Sequence, residues 1–303
     1  MRAAGAIDIG GTRTKLGVIA DDGRIVSRAT VSTSARGEPT RLVNDIVAGL
    51  RPLLEAAAAQ GTPAEGIGVS VAGFLDPGHT EMVENANLPE LCGFPLRRTL
   101  EQRLGLDCRL EVDSNASTLA EYRFGAGRGA RRLLGVSIGT GLGGGVIIDE
   151  LLLRHTGECA GDVGHVIVSP DGRRCTCGSH GCLEAMVCSA ALSERAGGRP
   201  VRDIVDAAAR GDERCVNALA ETGRWLGIGL ASLAPLFAPE RIVVGGGVGS
   251  AGDFLLEPAR RSFRRSAGDA FRDSVEIVGS TLGGWEGLVG AASVLLSHEP
   301  AEG

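Results

Sequence analysis

The amino-acid sequence predicts an α/β protein built from two lobes. Strand-like apolar segments alternate with segments of helical periodicity in two successive cycles, and each cycle contains a glycine-rich turn. A chain of 303 residues, of which 43% are hydrophobic, is long enough to bury two cores. We expect residues 1–113 with 290–303 to form a small N-terminal lobe and residues 114–289 a large lobe, with a ligand-binding cleft between them.

The first cycle begins with strands. Turn signals at residues 10–11 and 21–23 divide the opening segment into a β-meander. Leucine and isoleucine then recur at helical spacing over residues 41–60, and the apolar run over residues 67–72 predicts the next strand.

The second cycle repeats this order. Apolar runs and helical periodicity predict a strand over 109–112, a helix over 115–124, a glycine-broken strand pair over 133–148, a helix over 221–237 and a strand over 241–244. The second glycine turn repeats the pattern of the first, which indicates that the two lobes have related folds.

Charge and composition exclude several classes of protein. The formal net charge of −6 argues against a nucleic-acid partner, because binding to a phosphate backbone needs a clustered basic face. We find neither a signal-peptide pattern nor an apolar run near the roughly 20 residues that span a bilayer. We therefore expect a cytoplasmic protein that acts on a small molecule, without a membrane partner.

The first motif that carries chemistry is a glycine turn, with candidate nucleotide contacts at Asp8, Gly10, Gly11, Thr12, Thr14 and Lys15. Its glycines allow backbone N–H groups to approach a phosphate, its threonines add hydroxyl donors, and Asp8 could hold Mg²⁺ through water. The motif is neither a Walker loop nor a dinucleotide-binding fingerprint, and on its own it fits an ordinary hairpin turn equally well.

Two further glycine turns have candidate contacts at Gly139, Thr140, Gly141, Gly245, Gly246 and Gly247. The second turn repeats the phosphate-binding pattern of the first, so that the pair could clamp the phosphates of a nucleotide. The third follows an apolar strand and suits the close approach of adenine and ribose. Closely packed strands or a plain strand-to-helix turn would explain either segment alone.

Asp113 is the candidate catalytic base. It stands where a predicted strand ends and a helix begins, and phosphoryl transfer to an alcohol needs a group that orients the hydroxyl and accepts its proton. Outside the context of the other motifs, an aspartate in this position is more often only a helix N-cap.

A cysteine-rich segment predicts a closed zinc site. Cys175, Cys177 and Cys182 lie within eight positions, and His165 in the segment Gly161 to His165 could complete a tetrahedral set with no vacancy for a reactive water. The role of the zinc should then be structural. His180 competes as the fourth ligand; we favour His165, because its second nitrogen would remain available for a sugar hydroxyl. Free buried cysteines are the alternative.

Together these motifs resemble the ROK family of bacterial repressors, open reading frames and sugar kinases, and the resemblance spans nearly the whole chain. It implies an actin-like, hexokinase-type (ribonuclease-H-like) fold of two α/β lobes, usually dimeric or tetrameric, that binds ATP, Mg²⁺ and structural Zn²⁺. By this resemblance Asp113 is the base and the glycine turns bind the nucleotide. The sugar contacts that it implies are Gly73, Asn87, Asp113, Asp162, His165 and Glu184.

Two positions depart from the pattern of family glucokinases. Val112 stands where the family usually has asparagine, and Asp162 stands where it usually has glutamate. Because a site built around a hydroxyl discriminates strongly when its partner changes, these differences favour a modified hexose, such as an aminodeoxyglucose like kanosamine, over glucose. We expect ATP-dependent phosphorylation, at the 6-hydroxyl.

Two other functions remain open at this stage. One is a kinase for a C7-cyclitol of secondary metabolism, and the other is a non-catalytic, sugar-responsive regulator of the ROK type. Family repressors carry a DNA-binding segment before the phosphate turn, whereas here the turn starts at Asp8, so we expect a kinase.

Overall fold

A computed structural model describes residues 2–33, 38–85, 87–154 and 162–296. Gly161 of the predicted zinc motif, and residues 1 and 297–303 of the predicted small lobe, lie outside these residues. The strands are β1 Ala3–Ile9, β2 Arg13–Ala20, β3 Ile25–Ser32, β4 Ala64–Val71, β5 Phe74–Leu75, β6 Met82–Glu84, β7 Cys108–Val112, β8 Arg132–Ile138, β9 Leu142–Ile148, β10 Leu151–Leu152, β11 Arg241–Gly245 and β12 Glu276–Gly279. The helices are α1 Pro39–Ala59, α2 Leu96–Leu104, α3 Asp113–Phe124, α4 Leu183–Val187, α5 Ser189–Arg195, α6 Val201–Ala209, α7 Glu213–Phe237, α8 Gly246–Gly249, α9 Asp253–Ser266, α10 Asp269–Arg272 and α11 Glu286–Leu296.

The chain divides into two compact units. Among the described residues, the first unit contains 2–33, 38–85, 87–124, 151–154 and 285–296, and the second contains 125–150 and 162–284. The predicted α/β class is confirmed, because each unit combines a mixed sheet with packed helices.

The division falls later in the chain than the predicted boundary after Asp113. Helix α3 stays with the first unit because α11, from the far end of the chain, packs against it. Gly290 on α11 makes this packing possible, since a Cβ there would overlap the backbone of Ala116. Helix α11 also packs against β1 and β4, so residues 285–289 belong to the first unit as well.

In the first unit the sheet has the order β3-β2-β1-β4-β7. Strand β2 runs antiparallel to both β1 and β3, whereas β1, β4 and β7 are parallel. The carboxyl ends of β1, β4 and β7 therefore meet at one edge of the sheet. That edge carries the first glycine turn, Gly73 and Asp113. Apolar side chains of the sheet, α1 and α2 form the core beneath it, among them Ile7, Leu16, Leu50 and Leu100.

The second unit repeats this plan. Its strands follow the order β9-β8-β11-β12, with β8 antiparallel to β9 and parallel to β11, which is parallel to β12. The turn between β8 and β9 and the glycines after β11 share one sheet edge. Helices α7 and α9 pack closely, because a Cβ at Gly227 would meet the carbonyl of Ala259.

Several elements differ from the predictions, as three of them illustrate. Helix α7 begins at Glu213 rather than at residue 221, because the Asp212 side chain accepts a hydrogen bond from the Cys215 N–H (3.0 Å) and caps an earlier start. Gly246–Gly249 form one short helical turn, α8, where a simple turn was predicted. Helix α11 was not predicted. None of the helices in the described ranges is long and apolar enough to cross a membrane.

Candidate active site

The predicted site residues fall into two groups, one in each unit. Asp8 to Lys15, Gly73, Asn87 and Asp113 belong to the first unit. The second unit contains the other two glycine turns, Asp162, His165, Glu184 and the three predicted cysteine ligands.

The first glycine turn is a hairpin loop that its own strands hold in place. Its glycine at position 10 donates its N–H to the carbonyl of Arg13 (3.1 Å), and Thr33 Oγ1 donates to the carbonyl of Gly10 (2.7 Å). The hydroxyl of Thr14 lies 2.9 Å from that of Thr33, and Thr14 is fully buried. Thr14 thus supports the turn from within, whereas Thr12 is exposed and available to a ligand.

The Asp8 carboxylate is held from three sides. Lys15 Nζ lies 3.0 Å from Asp8 Oδ2, and Ser70 Oγ donates to Asp8 Oδ1 (3.2 Å). Helix α11 closes the third side, because a Cβ at Gly287 would overlap the carboxylate. The orientation of Asp8 is therefore fixed, and its charge is partly neutralised by Lys15.

Asp113 is the first residue of α3 and follows β7 directly. Its side chain is half-buried, and its Oδ1 accepts a hydrogen bond from the Ser114 N–H (2.8 Å). This bond fixes the carboxylate at the sheet edge where β1 and β4 also end.

Sequence reasoning missed a buried ion pair behind the candidate base. Glu111, at the end of β7, is fully buried, and its Oε2 accepts a hydrogen bond from Arg154 Nε (2.8 Å). Its Oε1 accepts from the Val112 N–H (2.9 Å) and from Asn115 Nδ2 (3.1 Å). The pair thereby stiffens the strand-to-helix turn that carries the candidate base. The only signal in the sequence was an acidic residue in an apolar strand.

Besides Asp113, the first unit contains two candidate sugar contacts, Gly73 and Asn87. Gly73 has a φ of 103°, and a Cβ there would overlap the carbonyl of Glu84, so only glycine fits. Asn87 lies beside Gly11, where an added Cβ would stand 3.4 Å from the Asn87 Cβ. The structure thus brings one candidate sugar contact against the first turn.

In the second unit, the turn at Gly139 to Gly141 is held by groups outside its own hairpin. The carbonyl of Gly139 accepts hydrogen bonds from the N–H (2.8 Å) and the hydroxyl (2.6 Å) of Ser189, at the start of α5. At the other end, the Leu142 N–H donates to Glu184 Oε2 (2.9 Å). A side chain at Gly141 would collide with the same carboxylate oxygen.

The third turn packs on the second. Gly246 has a φ of 80°, and a Cβ there would overlap the backbone of Ile138 at the end of β8. None of the residues that the structure describes would lie within 4 Å of a Cβ at Gly247, so this face of the turn is open to them. The candidate phosphate and adenosine turns of the second unit are therefore adjacent.

Cys175, Cys177, Cys182 and His165 form one cluster, with their ligand atoms all within 4.8 Å of one another. The Cys177 and Cys182 sulfurs are 3.7 Å apart, and His165 Nδ1 lies 3.6 Å from Cys175 Sγ. Tetrahedral zinc with metal–sulfur bonds of about 2.3 Å separates two sulfur ligands by about 3.8 Å and a sulfur from a nitrogen by about 3.6 Å. The four side chains therefore fit zinc, and the cluster contains His165 rather than His180.

Burial raises the pKa of the Cys175 thiol to about 12 and also raises that of Cys182. A hydrogen bond from the backbone of Ser179 lowers the pKa of Cys177. A metal ion would have to displace protons from the two buried thiols when it binds.

Glu184 connects this cluster to the second glycine turn. While Oε2 accepts from Leu142, Oε1 accepts from the hydroxyl of Thr176 (3.1 Å) and from Cys175 Sγ (3.6 Å). The second nitrogen of His165, Nε2, faces Asp162 Oδ2 at 3.5 Å, and Asp162 Oδ1 accepts the Gly164 N–H (3.0 Å). Of the candidate sugar contacts of this unit, His165 therefore belongs to the cluster, and Asp162 and Glu184 each contact one of its members.

Comparisons with known proteins agree on one family. The sequence model of the ROK family matches residues 4–298. A glucokinase of Streptomyces coelicolor is 34% identical over 97% of this chain and 98% of its own length. An N-acetylmannosamine kinase of Escherichia coli O139:H28 is 32% identical over 82% of this chain and 84% of its own length. The crystal structure of a ROK family glucokinase from Streptomyces griseus, in complex with glucose and AMPPNP, superposes with a TM-score of 0.83 at 37% identity, covering 96% and 98% of the two chains.

Proposed function

This chain belongs to the ROK family and is an ATP-dependent sugar kinase with the actin-like fold, and we propose that it phosphorylates the 6-hydroxyl of a hexose with Asp113 as the base. The observation that carries the proposal is the sheet edge of the first unit. There the glycine turn after β1, the Gly73 segment after β4 and Asp113 after β7 all stand at the ends of parallel strands.

The reaction follows from these groups. The hydroxyl oxygen of the sugar forms a bond to the γ-phosphorus of ATP while the bond from that phosphorus to ADP breaks. The hydroxyl proton passes to a carboxylate oxygen of Asp113. Kinase relatives imply ATP and Mg²⁺; Asp8 would hold the ion through water, and the N–H groups and exposed hydroxyl of the first turn would contact phosphate. Most of the rate would come from positioning and charge neutralisation.

We also propose that His165, Cys175, Cys177 and Cys182 bind a structural zinc ion. The spacing of the ligand atoms supports this, as does the closed set of three sulfurs and one nitrogen. The ion would supply rigidity rather than a reactive water. It would fix the imidazole of His165, with Nε2 turned away from the metal and able to bond a sugar hydroxyl.

An aminodeoxyglucose is our preferred substrate. The Val112 side chain beside the base has no hydrogen-bonding group, and Asp162 is one methylene shorter than the glutamate usual in family glucokinases. The Asp162 carboxylate also accepts a hydrogen bond from the backbone N–H of Gly164, two residues further along the chain. An amino group on the sugar would suit a short carboxylate better than a hydroxyl would. The matches to a glucokinase and to an N-acetylmannosamine kinase support a hexose-type substrate.

The test is a coupled assay of ADP release over glucose, mannose, amino and N-acetylated sugars and C7-cyclitols. We expect the highest kcat/KM with an aminodeoxyhexose, and a product whose phosphate couples to the C6 protons in the NMR spectrum. Best turnover of a cyclitol would replace the hexose assignment. Binding of a sugar without any ADP release would instead indicate a non-catalytic regulator.

A further inference from the structure

Asn85 joins the two candidate sugar-binding segments of the first unit. It directly follows β6, is only 3% exposed, and uses both ends of its amide. Asn85 Nδ2 donates to the carbonyl of Ala72 (2.9 Å), and Oδ1 accepts the N–H groups of Asn87 (2.9 Å) and Leu88 (2.8 Å). Ala72 immediately precedes Gly73, so one side chain links both candidate contacts.

The hydrogen-bonding capacity of this amide is fully used. Its oxygen accepts two bonds, and its nitrogen donates one to Ala72 and a second, weaker one to Met82 Sδ (3.6 Å). Two backbone donors face Oδ1 and one backbone acceptor faces Nδ2, which fixes the orientation of the amide group. A side chain with a donor and an acceptor at this length is required; aspartate keeps the acceptor and loses the donor.

We propose that Asn85 is a positioning residue that sets the distance between the Gly73 backbone and the Asn87 side chain, and thereby the affinity for the sugar. This inference rests on the proposed function. Gly73 cannot adjust by itself, because its positive φ and its contact with the carbonyl of Glu84 already confine it.

The experiment compares Asn85→Asp and Asn85→Ala with a control variant, Leu100→Ala. Leu100 lies on α2 in the core of the first unit, so its replacement opens a cavity there. Calorimetry gives the Kd for the best sugar of the panel and, separately, for a non-hydrolysable ATP analogue. We expect Asn85→Asp to weaken sugar binding about tenfold and Asn85→Ala more, with ATP-analogue binding changed less than about threefold. Leu100→Ala should lower Tm without changing the sugar Kd.

Several outcomes separate the two proposals. If the wild-type protein binds no sugar, the proposed function fails. If it does, and folded Asn85 variants bind sugar as tightly as Leu100→Ala, only the inference about Asn85 fails. Should neither variant fold, amide exchange of the wild-type protein decides: the N–H groups of Asn87 and Leu88 must be protected, and rapid exchange of both would overturn the inference.

Discussion

The first and second of the three glycine turns have the same predicted task, contact with phosphate, but are supported in different ways. The turn at Gly10 is held by neighbours on its own sheet, through Thr14 and the Thr33 hydroxyl. The turn at Gly139 is held by Ser189 and Glu184, which follow the cysteine cluster in the chain. The first turn is therefore supported by its own sheet, whereas the second is supported in part by Glu184, which also contacts the cysteine cluster.

This difference assigns separate tasks to the two units. In the first unit the Ser114 N–H donates a hydrogen bond to the carboxylate of the candidate base, and Glu111 accepts one from the Val112 N–H in the adjoining turn. The second unit couples a glycine turn to the proposed zinc site through the two oxygens of Glu184. Loss of the metal should therefore affect nucleotide binding as well as the sugar contacts.

Among the variants that test this comparison, the largest effect is expected for Cys177→Ser, which removes one sulfur of the cluster. We expect zinc content to fall well below one per chain, Tm to fall by about 5 °C or more, and KM for ATP to rise roughly tenfold. Metal analysis measures the zinc content, calorimetry measures Tm, and steady-state kinetics measures KM for ATP. Cys92→Ser, at a half-buried free cysteine of the first unit, is the matched control. Unchanged zinc content and Tm in Cys177→Ser would remove the zinc assignment.

Glu184→Gln tests the link between the cluster and the second turn. A glutamine has one acceptor oxygen for contacts that now use two, so either the Leu142 N–H or Thr176 loses its partner. We expect metal affinity to fall at least about tenfold and KM for ATP to rise several-fold, by about 1 kcal/mol of binding free energy. Glu221→Gln on α7 serves as the control. A change in KM for the sugar alone would show that no such link exists.

Thr33→Val makes the corresponding change at the first turn. It removes the hydroxyl that bonds Gly10 and Thr14 while keeping the shape of the side chain. We expect KM for ATP to rise about threefold to fivefold, with zinc content unchanged. Thr99→Val on α2 controls for loss of a hydroxyl. Loss of zinc from Thr33→Val would contradict the separation of the two supports.

Asp162→Glu should have the smallest effect, on sugar preference. The longer side chain restores the length found in family glucokinases, so we expect kcat/KM for glucose, relative to an aminodeoxyglucose, to rise about twofold to threefold. Competition between the two sugars in one assay measures this ratio. Asp203→Glu, exposed on α6, is the control. An unchanged ratio would show that Asp162 does not contribute to sugar specificity.

The sequence allowed the motif-bearing parts of this fold to be predicted, because their signals are local. Glycine turns follow apolar strands, and the cysteine spacing alone indicated the cluster that His165 completes. Helix α11 could not be predicted in the same way. Its residues are nearly all apolar, and its close packing through Gly287 and Gly290 depends on Asp8 and Ala116, which are distant in the sequence.

The supporting residues of the candidate site were also hidden from sequence reasoning. Glu111 and Asn85 are polar residues in ordinary strand and loop segments, and only their burial and partners distinguish them. Thr14 was predicted as a phosphate contact because it belongs to the motif. Its buried hydroxyl bonds Thr33 instead, a residue on the far side of the β2–β3 hairpin.

The most direct test of the proposed chemistry is the turnover of Asp113→Asn on the best sugar substrate, with sugar affinity measured by calorimetry on the same sample. Asparagine keeps the size of the side chain but cannot accept the hydroxyl proton as a base. We expect kcat to fall by about a thousandfold while the sugar Kd changes less than about threefold. Retention of more than about a tenth of the wild-type kcat would contradict the assignment of Asp113 as the base.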